Sequence, residues 1–330
     1  MFRRILIPIV TFLVGLAGGF ASSRLVHAPA SQRTFVERRE NGRYTYINPL
    51  IECDIAKDVL RNQELRPFED RISAFLNSKM DKRWASHVSV YFRELNDGLW
   101  FSIGDTEQFV PASLRKLPLM IALLRMGEQQ SGFLDRKVRL DLSQDYTAKQ
   151  NIRPAQALVT GREYTVRDLI FRMIVYSDNN AFTQLTKIVD SGVFDSVYAT
   201  LRMQNPSARK DDNFLSVQTY ASFLRVLYNA TYLTRESSEW ALGVLAQSDF
   251  TGGLVEGVPR DITVAHKFGE HSDPSRNSVQ LHDCGIVYYP RHPYLLCVMS
   301  EGPNFEFLDN VIAEVSRITY SEIENQHRQH

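Results

Sequence analysis

Strand-forming sequence in this chain stands in two blocks far apart, and the stretch between them reads as helix. Any fold must bring those two blocks together. The first block is 87–95, β-branched and aromatic, which turns at Asn96-Asp97-Gly98 and returns through 99–103. The second is 262–268, 281–289 and 294–300, the last two joined across Pro290-Arg291-His292-Pro293. In the middle, Thr165-Val166-Arg167-Asp168 has the layout of a capping box opening a helix over 169–176, and 179–189, 216–228 and 236–246 continue as helices. An amphipathic helix precedes the first block over 67–80, with Phe68, Ile72, Phe75 and Leu76 at helical spacing. Another closes the chain over 304–325 through Phe307, Val311, Ile312, Val315 and Ile318. This order predicts a two-lobed α/β (α+β) fold: an antiparallel sheet built from both chain ends and flanked by terminal helices, beside an all-helical lobe. A cleft between such lobes is a natural home for a site.

Three short stretches carry chemistry. In Pro111-Ala112-Ser113-Leu114-Arg115-Lys116, a serine and a lysine sit three apart at the entry to an apolar helix, on one face. A serine hydroxyl is a weak nucleophile unless a base takes its proton. Lysine serves as that base only when its pKa falls, and Leu117, Leu119, Met120 and Ile121 supply the apolar burial that lowers it. The spacing alone is a weak signal, since Ser207-Ala208-Arg209-Lys210 repeats it in a polar run after Pro206, and a serine in a first turn is also a helix cap. The second stretch, Tyr176-Ser177-Asp178-Asn179-Asn180, lies between two helices. Ser177 there is suited to pass a proton to a leaving nitrogen, and Asn179 to hydrogen-bond a substrate amide, although all three residue types also cap helices. In the third, Ala265-His266-Lys267-Phe268-Gly269-Glu270 at a strand end, Lys267 offers positive charge to a carboxylate or to Ser177. Gly269 lets substrate backbone lie close to the strand edge.

In this order and on these elements, the three stretches resemble the class A β-lactamases and the related penicillin-binding serine hydrolases, whose motif set is Ser-x-x-Lys, Ser-Asp-Asn and Lys-Thr-Gly. The resemblance runs over residues 66–322 and implies the two-lobed β-lactamase/transpeptidase-like fold. It further implies that Ser113 is acylated, that Lys116 activates it, and that Ser177 and Lys267 form the other side of a proton network. Asn179 would contact the substrate amide, and the backbone N–H groups of Ser113 and Glu270 would form an oxyanion hole beside Gly269. No metal and no cofactor are implied.

Two departures from the family pattern bear on the reaction. Class A enzymes carry a glutamate after the Ser-Asp-Asn helix that activates the deacylating water. The corresponding stretch here, 195–215, contains no Glu, and Asp211 and Asp212 stand in a polar Lys-Asp-Asp-Asn run that reads as solvated loop. Slow deacylation is expected. Phe268 replaces the Thr or Ser whose hydroxyl helps hold a substrate carboxylate; Arg276 is the nearest basic alternative, in a loop-like run. The expected function is therefore an exported serine hydrolase acylated at Ser113 by a β-lactam or a cell-wall-like amide. The alternatives are a D-alanyl-D-alanine carboxypeptidase or peptidoglycan amide hydrolase, a serine esterase, or a sensor that binds without turnover.

Other classes find little support. Lys+Arg and Asp+Glu balance at 38 each, so no overall field favours nucleic acid. There is no Gly-rich phosphate loop, His266 and His271 lack helical zinc spacing, and His282-Asp283-Cys284 reads as strand. Met1-Phe2-Arg3-Arg4 followed by an uncharged run over 5–21 has the layout of a signal peptide or signal anchor within residues 1–30, with possible cleavage after Ala21 or Ala30. If retained, it anchors the protein in the membrane with its body outside the cytoplasm. Residues 31–65 read as a linker and N-terminal arm, in which 44–51 adds a short strand or packs as an ordered segment, and 323–330 as a polar tail. Three cysteines make no disulfide framework; Cys284 and Cys297 face each other if their runs pair, but the reading adopted is free buried thiols.

Overall fold

A computed structural model of the chain describes residues 37–39, 44–53, 61–79, 84–148, 150–201, 203 and 215–327. The signal segment expected at 1–30, and Asp211 and Asp212, lie outside the described residues.

The two strand blocks do meet. β1 (Glu37–Arg39) and β2 (Leu50–Cys53) make a small antiparallel pair ahead of helix α1 (Arg61–Lys79). Strands β3 (His87–Glu94) and β4 (Trp100–Ile103) form the expected hairpin. The chain then runs through the helical lobe: α2 (Lys116–Gln129), the short pair β5 (Lys137–Arg139) and β6 (Glu163–Thr165), α3 (Val166–Val175), α4 (Asn179–Thr186), α5 (Ser191–Thr200), α6 (Val217–Tyr228) and α7 (Arg235–Leu245). It returns as β7 (Val264–Asp273), β8 (Ser278–Val287) and β9 (Tyr294–Gly302) and closes with α8 (Phe305–His327). The five-stranded antiparallel sheet has the order β4-β3-β9-β8-β7, so the N-terminal hairpin pairs with the last strand and β7 is left at the edge.

Both faces of that sheet are buried, which explains why its strands read as continuous apolar runs rather than clean alternations. Along β3, Val88, Val90 and Phe92 pack with Phe68 and Ile72 of α1 and Leu308, Val311, Ile312 and Val315 of α8. Tyr91, Cys284, Ile286, Leu295, Cys297 and Met299 face the opposite way, into the core of the helical lobe. The centre of that lobe is α2, whose residues from Lys116 to Leu124 are all buried, as expected of a helix apolar on every side. Thr165 caps α3 in a reciprocal box: its side chain accepts from the Asp168 N–H at 3.0 Å, and the Asp168 carboxylate accepts from the Thr165 N–H at 3.2 Å.

Several boundaries differ from expectation. Helix α1 begins at Arg61, ahead of Pro67, because Leu65 is buried in the same core as Phe68 and its burial outweighs the proline. Helix α8 continues to His327 rather than giving way to a tail at 323, since Ile323 is buried in that core. Within 44–53 both readings are realised: Leu50–Cys53 is a strand, and residues 44–48 pack as an arm. Helix α5 and the β5–β6 pair were not foreseen. Among the described residues, no helix is long and apolar enough to cross a membrane.

The free-thiol reading of two cysteines is corrected. Cys284 on β8 and Cys297 on β9 stand directly opposite each other in the ladder, and their sulfurs are bonded. Register decides this, since a slip of one residue would send the two side chains to opposite faces.

Candidate active site

Ser113 lies in a one-turn 3-10 segment, Ala112–Arg115, that runs directly into α2. Ala112, just before it, has φ 49°, a conformation uncommon for a residue with a Cβ, so the turn is held by its surroundings. One neighbour is Gly269 of β7. A Cβ there would lie 3.1 Å from Leu114 Cγ and 3.2 Å from the Pro111 carbonyl oxygen. The missing side chain thus lets the Ser113 turn pack against the strand, a different use from the substrate approach expected of it.

Lys116 begins α2 and is buried, and its Nζ lies 2.9 Å from Ser113 Oγ. The same nitrogen lies 2.5 Å from the Ser177 carbonyl oxygen, 3.0 Å from Ser177 Oγ and 2.7 Å from Asn179 Oδ1. Burial in the lobe core holds the lysine well below its usual pKa, and the charge of Lys267 pushes the same way. A neutral amine keeps a lone pair, so Lys116 is able to accept the Ser113 proton.

Ser177 occupies the turn between α3 and α4, fully buried, with φ 51°. Asp178 pins that turn as the N-cap of α4, its Oδ1 accepting from the N–H of Asn180 at 2.7 Å and of Ala181 at 3.0 Å. From the sheet side, Lys267 Nζ lies 3.0 Å from Ser177 Oγ and donates to the Phe268 carbonyl oxygen at 2.9 Å. Burial lowers the Lys267 pKa to about 7, against the pull of Asp283 and Glu270 in the other direction. Ser113, Lys116, Ser177 and Lys267 therefore form one unbroken chain of contacts drawn from three distant stretches of sequence.

Asn179 lines the cleft, but its Oδ1 is engaged by Lys116, and its Nδ2 donates to the Tyr146 carbonyl oxygen at 3.4 Å. Phe268 is buried against Phe250, ring centroids 4.4 Å apart, and offers no polar group. Arg276 is paired with Asp273 at the β7–β8 turn, 3.5 Å between N and O, and exposed. It does not line the cleft. The cleft has a volume of about 450 Å³ and is lined by Ser113, Lys116, Tyr146, Asn179, Phe182 and Glu270 among others.

The side-chain role of Glu270, the residue Gln150 and the His266–Asp283 pair escaped sequence reasoning. Glu270 was expected to act only through its backbone. Its side chain bridges the cleft, Oε1 accepting from the N–H groups of Asn151 at 2.9 Å and Ile152 at 3.2 Å, while Oε2 is buried with no hydrogen-bond partner. Gln150 braces the Ser177 turn, donating to the Ser177 carbonyl oxygen at 3.0 Å and accepting from the Asn179 N–H at 3.2 Å. Behind Lys267, His266 Nδ1 lies 2.8 Å from Asp283 Oδ1, both side chains buried, and Asp283 also accepts from the Leu254 N–H at 3.0 Å. No local pattern marks Gln150 or Glu270; His266 and Asp283 stood in noted stretches, but their pairing depends on β7–β8 register.

Against known proteins, the family model described as "Beta-lactamase enzyme family" matches residues 67–323. Among solved structures, the fold is similar to that of PBP-A, also solved as the acyl-enzyme of an L158E mutant with penicillin G: TM-score 0.64 and 20% identity, covering 79% of this chain and 97% of that one. A class A beta-lactamase from Bacteroides cellulosilyticus matches at TM-score 0.66 and 18% identity, covering 79% and 98%. A beta-lactamase from Chitinophaga pinensis matches at 0.64 and 20%, covering 78% and 99%. No curated protein sequence gives a significant match.

Proposed function

The chain belongs to the beta-lactamase enzyme family and is a class A β-lactamase-like serine hydrolase, and on that premise we propose that it is acylated at Ser113 by a β-lactam or a cell-wall-like amide and releases the acyl group slowly. The observation that carries this reading is the buried contact chain Ser113–Lys116–Ser177–Lys267, with Lys116 desolvated 2.9 Å from Ser113 Oγ.

In the proposed reaction, Lys116 takes the Ser113 proton as Oγ attacks the amide carbonyl. The Ser113–carbonyl bond forms, and negative charge gathers on the carbonyl oxygen. The backbone N–H groups of Ser113 and Glu270 stabilise that charge, each donor of this kind contributing about 3 kcal/mol. As the C–N bond breaks, the proton passes through Ser177, flanked by both lysines, to the leaving nitrogen. Acidification protonates Lys116, so the acylation rate falls as pH falls through its depressed pKa.

Slow release rests on the absence of Glu from 195–215. Use of a β-lactam is supported by the penicillin G acyl-enzyme of PBP-A. Phe268 and the carboxylate of Glu270 on the same strand weigh against tight binding of a substrate carboxylate. Export is supported by the basic and then uncharged N-terminal run and by the Cys284–Cys297 bond, which suits an oxidising compartment.

The test is intact-mass spectrometry of the full chain mixed with penicillin G over minutes to hours, followed by peptide mapping. A persistent adduct on Ser113, absent from Ser113→Ala, is expected. An adduct that turns over rapidly sinks slow release, and no adduct removes β-lactams from the substrate class.

A further inference from the structure

Away from the cleft, three ligating side chains from separate parts of the sequence converge. Glu94 ends β3, His292 sits in the turn between β8 and β9, and His327 closes α8. Glu94 Oε1 lies 3.6 Å from His292 Nδ1 and 3.7 Å from His327 Nε2, and the three ligating atoms all fall within 4.8 Å of one another.

These separations are too long for hydrogen bonds. The Glu94 side chain is only 7% exposed, and neither its Oε1 nor His292 Nδ1 has a hydrogen-bond partner. Leaving a buried carboxylate oxygen without a donor is costly, and a cation beside it offsets that cost. Bonds of about 2.0–2.1 Å around a tetrahedral ion put neighbouring ligand atoms roughly 3.3 Å apart, a few tenths of an ångström inside the two Glu94–imidazole separations. Two imidazoles and one carboxylate are a donor set suited to a borderline first-row metal.

We propose that Glu94, His292 and His327 bind one divalent cation of the zinc class, with water completing its coordination. Such an ion ties the last turn of α8 to the hairpin end of the sheet. The two imidazoles lie face to face, centroids 3.4 Å apart and 14° between planes. A ligating ring holds its metal in the ring plane, so binding requires the rings to turn out of this stack. Both sites allow it: His292 lies in a turn, His327 ends a helix, and their side chains are 30% and 20% exposed.

The test titrates the chelator-treated full chain with Zn2+ by calorimetry and, in parallel, with Co2+ by visible absorbance. One equivalent is expected to bind, unaffected by Ser113→Ala, with affinity at least about tenfold weaker in both Glu94→Gln and His292→Ala. The metal should raise the melting temperature of the wild type and not of those two variants, whose circular dichroism without metal verifies that they fold. Failure of the wild-type chain to take up one equivalent overturns the proposal whatever the variants do. So does uptake undiminished in both.

Discussion

Two buried lysines are a cost to stability, and here both reach Ser177 Oγ at 3.0 Å. With Lys267 near 7 in the folded chain and at 10.5 when exposed, the unfolded chain binds an additional proton between those values. Stability therefore falls as pH drops from about 10.5 towards 7 and is flat with respect to this group below that. Lys267→Met removes the burden along with the function. It is expected to melt a few degrees above wild type at pH 7, with the gap closing as pH rises towards 10. Its penicillin acylation should fall by at least about 10²-fold. Melting curves of both proteins across pH check this, and a gap that stays constant with pH refutes the assignment of a neutral lysine. Residue identity was legible here: Ser113, Lys116, Ser177 and Lys267 were all named from short spacings. Their protonation states were not, because desolvation comes from packing.

At the scale of elements, the turn between α3 and α4 does the positioning. Ser177 is held at positive φ by the Asp178 cap below it and by Gln150 beside it. Asp178→Ala should cost about 1 kcal/mol of stability as a lost cap and slow acylation on the order of 10²-fold through misplacement of Ser177. Asp178→Asn keeps an acceptor oxygen and should recover most of both. Single-turnover labelling and denaturant melts of the two variants check this, and an acylation rate unchanged in Asp178→Ala refutes the positioning role. Elements with their own local grammar were readable in advance, among them the Thr165–Asp168 box, the Asn96-Asp97-Gly98 hairpin and the closing helix. Helix α5 starts at Ser191 behind its N-cap Asp190, and those two residue types read equally well as loop.

Over the whole molecule, the arm at 44–48 is held by the Glu239 side chain and by the Asn48 N–H, which donates to the Tyr228 carbonyl oxygen at 2.9 Å. The Glu239 carboxylate accepts from the N–H groups of Thr45 at 2.7 Å and of Tyr46 and Ile47 at 2.9 Å. The Tyr46 carbonyl oxygen accepts from Tyr288. Glu239→Ala is expected to lower stability by about 2 kcal/mol and open the arm to protease while leaving Ser113 acylation intact; unchanged proteolysis at 44–48 counts against this role.

The sequence alone was enough for the strand blocks, the helical lobe between them and the residues of the buried contact chain, because each is marked by a pattern within one short stretch. The tertiary structure alone decided the rest. Register paired Cys284 with Cys297 and His266 with Asp283, and the closing of the lobes carried Glu270 to Asn151 and brought 113, 177 and 267 to one point. Burial then lowered the pKa of Lys116. Each of these depends on contacts between residues far apart in the chain, and a local pattern carries no record of which distant side chain will fill the space beside it.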